Sequence, residues 1–165
     1  MPALETGAAA PEFTLPGMDG KKFSLTEALK RGPVLAAFFK VSCPVCQFTL
    51  PFLERIHKAC AGTKATVLGI SQDDKKETAA FLREYGISFP VLLDDTRSYP
   101  VSNAYGLTNV PTVFLITSEG GIEISSVGWS RQDVESLAAR LAQAAGKPPA
   151  AVFRPGEDVP DFKAG

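Results

Sequence analysis

The stretch Val34-Leu35-Ala36-Ala37-Phe38-Phe39-Lys40-Val41-Ser42-Cys43-Pro44-Val45-Cys46 decides how this chain is read. It opens with an unbroken apolar run, the pattern of a strand buried on both faces. It closes on a Cys-x-x-Cys pair, and from Gln47 to about Ala59 the pattern turns helical. There Val45, Phe48, Phe52, Ile56 and Ala59, with Leu53 beside them, form one apolar stripe. Pro44 suits the first turn of this helix, because the N–H it lacks would have had no intrahelical partner. Cys43 then falls at the N-cap, its sulfur beside unpaired backbone N–H groups and the positive end of the helix dipole. Such a setting stabilises a thiolate and lowers the thiol pKa. Cys46 lies within the first turn, close enough to attack a mixed disulfide formed on Cys43. The pair can therefore shuttle two electrons.

Composition bounds the possibilities. The 165 residues are 45% apolar, enough for one domain with one core. The formal net charge is −1 with both signs interspersed, so there is no electrostatic footprint for nucleic acid or an anionic membrane. No stretch approaches the roughly 20 apolar residues of a membrane span. Met1-Pro2-Ala3-Leu4-Glu5-Thr6-Gly7 has neither the basic nor the apolar region of a signal peptide. Three cysteines are too few, and of the wrong parity, for a disulfide scaffold. The expectation is a cytoplasmic monomer, or a periplasmic one if a leader has been removed. In a reducing setting Cys-x-x-Cys is more often catalytic or metal-binding than structural.

Outward from the cysteines, Phe13 and Leu15 face Phe23 and Leu25 across Pro16-Gly17-Met18-Asp19-Gly20, which reads as a β-hairpin turning at Asp19-Gly20. Ser24 and Glu27 form a capping box for a short helix to Lys30, stopped by Gly32-Pro33. Pro51 lies inside the helix that follows the cysteines. Thr66 to Ile70 is a strand, and Asp73-Asp74 opens a helix with Thr78, Phe81, Leu82 and Tyr85 on one face, closed by Gly86. A strand at Pro90 to Leu93 and a helix from Ser98 to Tyr105 come next. Val113 to Ile116 and Ile122 to Val127 form a hairpin around Glu119-Gly120-Gly121. Ser130 and Asp133 cap a last helix whose face is Val134, Leu137, Ala138, Leu141 and Ala145. This order gives an α/β class with a central mixed sheet flanked by helices. The expected division is a domain over 1–146 and an extended tail over 147–165, rich in proline.

These features resemble a thioredoxin-like fold, and more narrowly the redoxin branch (the AhpC/TSA superfamily) that holds TlpA/ResA-like thiol–disulfide oxidoreductases and peroxiredoxins. The resemblance covers about residues 7–146. It rests on the Cys-x-x-Cys at a strand–helix joint, on Pro51, on Val110-Pro111-Thr112 before a hairpin, and on Gly128 at its end. Pro11-Glu12-Phe13-Thr14-Leu15 is similar to the N-terminal hairpin extension of redoxins. The resemblance implies a cis Pro111 beside the cysteines and a backbone edge at Val110 for an incoming peptide, a strand-addition mode of recognition. It implies Cys43 as nucleophile and Cys46 as resolving cysteine. Pro44, Val45, Val110 and Pro111 are the implied substrate contacts, and Lys40 and Trp129 are candidate supports. No dissociable cofactor and no metal are needed. The implied partners are a disulfide-containing protein substrate and a thiol partner that gives or takes electrons, such as a thioredoxin-reductase-like protein or a membrane thiol shuttle.

The chain departs from its relatives at the proton acceptor of the resolving cysteine. The buried Asp of thioredoxins corresponds to Ala37, their Trp before the first cysteine to Ser42, and the Glu of ResA-like proteins to Thr49. A peroxiredoxin-like peroxidase using Cys46 is the enzymatic alternative. Its Thr, Pro and Arg positions hold Cys43, Phe39 and, nearby, Pro111. The donors that would polarise a peroxide are thus missing. A non-catalytic thioredoxin-fold binding module is a third reading, against which the intact cysteine pair speaks. A zinc site from Cys43, Cys46, His57 and Cys60 fails on distance. His57 is eleven residues beyond Cys46, about 16 Å along a helix rising roughly 1.5 Å per residue. Burial on the Phe52–Ile56 face is expected for Cys60.

Overall fold

Strand β3 (Val34–Phe39) runs through the centre of the molecule with every residue buried. A computed structural model describes residues 3–149 and 151–165, so Met1, Pro2 and Ala150 lie outside the described residues. Its alternating side chains feed two cores. Leu35, Ala37 and Phe39 face one, while Val34, Ala36 and Phe38 face the other. Burial on both faces is why this stretch is continuously apolar rather than alternating.

On either side of β3 lie β4 (Thr66–Ser71), parallel to it, and β6 (Thr112–Ile116), antiparallel to it. Strand β5 (Val91–Leu93) pairs parallel with β4, and β7 (Ile122–Val127) pairs antiparallel with β6. The five-stranded order is β5-β4-β3-β6-β7. Helices α2 (Pro44–Ala59), α3 (Lys75–Tyr85) and α5 (Arg131–Ala144) supply the first core. Helices α1 (Leu25–Leu29) and α4 (Pro100–Ala104) supply the second with the hairpin of β1 (Thr14–Pro16) and β2 (Lys22–Ser24). The hairpin pairs as expected, Leu15 opposite Phe23. Met18 N–H donates to the Val91 carbonyl at 3.0 Å, so the hairpin covers the β5 edge. This is the thioredoxin-like fold with a redoxin-type extension.

The helix starts follow the capping signals. Ser24, Asp74 and Ser130 each accept a backbone N–H three residues on, satisfying one orphan donor of the first turn. Only half of the first capping box forms, because the Glu27 carboxylate bonds Lys30 at 3.0 Å. Helix α4 begins at Pro100 rather than Ser98, since Tyr99 takes a left-handed conformation with φ 48°. The buried Asp94 carboxylate accepts the Val101 and Ser102 N–H groups at 3.3 and 2.8 Å instead. On α5, Ala142 is buried where Ala145 was expected.

The tail does more than extend. Val152 and Val159 are buried in the same core as α2 and α5. Arg55 of α2 donates to both oxygens of Glu157, at 2.8 Å each, and to the Val152 carbonyl at 2.9 Å. Strand β9 (Phe162–Lys163) pairs antiparallel with β8 (Trp129–Ser130). Residues 151–165 thus fold back over α2 and the start of α5.

Candidate active site

The loop after β3 is held from both ends. Cys43 N–H donates to the Lys40 carbonyl at 3.3 Å, and Gln47 Nε2 donates to the Val41 carbonyl at 2.9 Å. Val41 N–H donates to Asp73 Oδ2 at 2.7 Å. These bonds present Cys43 as the N-cap of α2, with Pro44 in the first turn. The Cys46 N–H points at Cys43 Sγ from 3.2 Å. The sulfur thus takes one of the orphan backbone donors of the first helical turn.

The two cysteines differ sharply. Cys43 is half-buried and Cys46 is fully buried. Burial pushes the Cys46 thiol well above its ordinary pKa of 9.0, and its hydrogen bond with Cys43 and the negative charges of Cys43 and Asp73 push the same way. A backbone hydrogen bond from Lys40 opposes this. Burial likewise raises the thiol of Cys60. All three cysteines are free.

Facing them is the loop before β6, where the Val110–Pro111 peptide is cis. Cys43 Sγ donates to the Val110 carbonyl at 3.5 Å, so the sulfur and the backbone edge are in direct contact. Thr112 Oγ1 donates to the Asn109 carbonyl at 2.7 Å, and Gly128 N–H to the Pro111 carbonyl at 2.8 Å. Both bonds fix the loop. Pro44 is exposed on the same end of α2, whereas Val45 is half-buried against the core.

The two candidate supports lie elsewhere. The Lys40 ammonium sits over the Tyr99 ring, 5.6 Å from its centroid; what Lys40 offers Cys43 is its carbonyl. Trp129 is completely buried, its ring 4.8 Å from Phe48 and 5.0 Å from Phe52. Its Nε1 donates to the Pro160 carbonyl at 2.7 Å. Trp129 is a packing residue capped by the tail. Ala37 lies in the core at the thioredoxin Asp position. Thr49 is buried, and its Oγ1 finds no hydrogen-bond partner among the described residues. The contribution of Asp73 went unread because Asp73-Asp74 looks like a helix start; only Asp74 caps.

The AhpC/TSA family model matches residues 6–125. The chain belongs to the AhpC/TSA family. Within the redoxins it is similar to the thiol-disulfide oxidoreductase ResA of Geobacillus thermodenitrificans, 27% identical over 135 residues, which are 81% of this chain and 76% of that one. A solved structure of a thiol:disulfide interchange protein DsbE from Chlorobium tepidum superposes with a TM-score of 0.75 at 26% identity, covering 87% of this chain and 99% of that one. A protein disulfide isomerase structure from Bacteroides thetaiotaomicron gives 0.77 at 25% identity, covering 89% and 96%.

This redoxin has a cavity of about 760 Å³ at the far end of α2, lined by Met18, Phe23, His57, Cys60 and Phe89 among others. Cys43, Cys46 and Pro111 are not part of it. Thiol–disulfide exchange needs access to a sulfur rather than a deep pocket. Among the described residues, no group of three or more His, Cys, Asp or Glu side chains is arranged to hold a metal ion. No helix among them is long and apolar enough to cross a membrane.

Proposed function

We propose that this redoxin is a thiol–disulfide oxidoreductase in which Cys43 exchanges and Cys46 resolves. The observation that carries the proposal is the asymmetry of the pair. One sulfur belongs to a half-buried residue, is capped by a backbone N–H and touches the Val110 edge. The other is buried directly behind it. The Cys43 thiolate attacks one sulfur of a substrate disulfide, forming a mixed disulfide and expelling the other sulfur as thiolate. Cys46 then loses its proton and attacks Cys43 Sγ, releasing the second substrate thiolate. The products are a reduced substrate and a Cys43–Cys46 disulfide, so two electrons have left the protein. A thiol partner restores the dithiol by the reverse sequence, and the cysteines themselves carry the electrons.

The peroxidase alternative is disfavoured by Cys46 itself. A peroxide-reducing cysteine must be an accessible thiolate, and this one is buried with its thiol held protonated. A cytoplasmic setting, or a periplasmic one if a leader has been removed, is part of the same proposal.

Trapping tests the assignment. Reduced Cys46→Ser, mixed with a protein disulfide, is expected to accumulate a stable adduct through Cys43, and Cys43→Ser to form none. An adduct carried by Cys46 in the Cys43→Ser protein, or none in either variant, refutes it.

A further inference from the structure

The Val110 carbonyl is touched from two sides. Cys43 Sγ reaches it from α2. From the other side comes residue 165: a Cβ placed on Gly165 would lie 2.5 Å from Val110 O and 3.3 Å from Gly128 Cα. The backbone of the tail therefore rests directly on the edge beside the reactive sulfur. Asn109 Nδ2 adds a hydrogen bond to the Gly165 carbonyl at 3.1 Å. The fit also calls for glycine at 128, where a Cβ would meet Lys163 O at 2.6 Å and Gly165 N at 3.0 Å.

The tail is anchored unevenly. Its upstream part is fixed by buried Val152 and Val159, the Arg55–Glu157 pair and the Trp129–Pro160 bond. Its last residues, 162–165, are all exposed. They are held by the short β8–β9 ladder, a cation–π contact of Lys163 with Phe48 at 5.1 Å, and Asn109. Phe162 is 63% exposed and Val127 41%, an apolar cost left at this end of the site. The arrangement is a strap with buried anchors upstream and an exposed tip held by surface contacts alone. It also lies beyond the family match, which ends at residue 125.

We propose that the tail, through Gly165, covers the backbone edge at Val110 that a protein disulfide would pair with, making the tail the determinant of substrate class. With the tip seated, Cys43 remains half-exposed, open to a low-molecular-weight disulfide that needs no backbone edge. A protein substrate recognised by strand-like pairing requires the tip to lift. This inference rests on the exchange role of Cys43 argued above.

The test compares two disulfides, insulin and oxidised glutathione, with reduced unsubstituted protein, Gly165→Val and a chain stopped after Asp161. Gly165→Val drives a side chain into the Val110 carbonyl. The shortened chain keeps every buried anchor and loses only exposed residues, and thermal melts confirm that each variant is folded. Apparent affinity scales with the fraction of time the edge is free, so an edge free about a tenth of the time predicts a gain of about tenfold in kcat/KM for insulin, with glutathione changed by less than about twofold. An unchanged insulin-to-glutathione ratio in both variants, or a fall in the insulin rate, overturns the inference while leaving the exchange activity standing. Reduction of neither disulfide by any of the three proteins overturns the oxidoreductase reading itself, and this inference with it.

Discussion

Thr49→Val isolates the one odd polar group behind the cysteines. Thr49 sits one turn after Cys46, is 1% exposed and has an Oγ1 with no hydrogen-bond partner among the described residues. In the unfolded chain that hydroxyl is hydrated, and burying it unpaired costs about 1–3 kcal/mol. Valine has nearly the same shape and a similar helix propensity, and replaces the hydroxyl with a methyl whose burial is worth up to about 0.8 kcal/mol. Real denatured chains already shield part of their surface, so the lower end of the sum applies, about 1 kcal/mol of stabilisation. For a chain of this size that is a rise in Tm of about 2–4 °C. Urea denaturation of the reduced proteins measures it. A loss of more than about 1 kcal/mol would show instead that the hydroxyl is hydrogen-bonded in solution. The rate of Cys43–Cys46 disulfide closure gives a second reading. If Thr49 is only a buried hydroxyl, the rate changes by less than about twofold; a fall of about tenfold or more would mean that it helps carry the Cys46 proton.

Other consequences follow from the same geometry. Alkylation of the reduced protein with iodoacetamide should modify Cys43 first, with Cys46 and Cys60 at least about tenfold slower, because a buried thiol held protonated is a poor nucleophile; equal rates would contradict the burial of Cys46. The Arg55 guanidinium, helped by the Arg154 N–H, holds the Glu157 carboxyl down from 4.5 to about 2. Because the folded value is the lower one, this contribution is complete above pH about 4.5 and is lost as pH falls through about 2. Trp129 fluorescence should therefore report loosening of the tail across that window, and an identical acid profile for Glu157→Gln would exclude the link. Gly128→Ala puts a Cβ at φ +74° and against Lys163 O. It should cost about 1–2 kcal/mol from the left-handed backbone alone and more with Lys163 in place, read by denaturant unfolding; a loss no larger than the backbone cost would mean that the tail does not lie there in solution.

Much of the site was legible because its determinants are local. An N-cap cysteine followed by Pro44 is written in adjacent residues, and the structure places it at the start of α2. The continuous apolar run of β3 announced burial on both faces, and Ser24, Asp74 and Ser130 announced helix starts. The loop at Pro111 was readable only through the family resemblance, since nothing near residue 110 says that residue 43 lies across from it. What escaped depends on distant parts of the chain. Asp73 receives the Val41 N–H because the ends of β3 and β4 lie side by side. A packing role was legible for Trp129, but not the partner that satisfies its indole N–H, Pro160, thirty-one residues away. The tail has no period that would predict a partner. Its apolar residues Val152, Phe153 and Val159 are scattered among prolines and charges, and their burial depends on the groove between α2 and α5 being present already.

The central claim is that Cys43 and Cys46 form one two-electron couple. Equilibrating the protein in glutathione redox buffers, with alkylation and mass to read the thiols, tests it directly, and Cys60→Ser provides the background. A single two-electron transition is expected, within the range of about −270 to −120 mV spanned by thioredoxin-like couples, in which Cys43 and Cys46 disappear together while Cys60 stays free. A chain that forms no Cys43–Cys46 disulfide at any poise, or that pairs Cys60 instead, would contradict it.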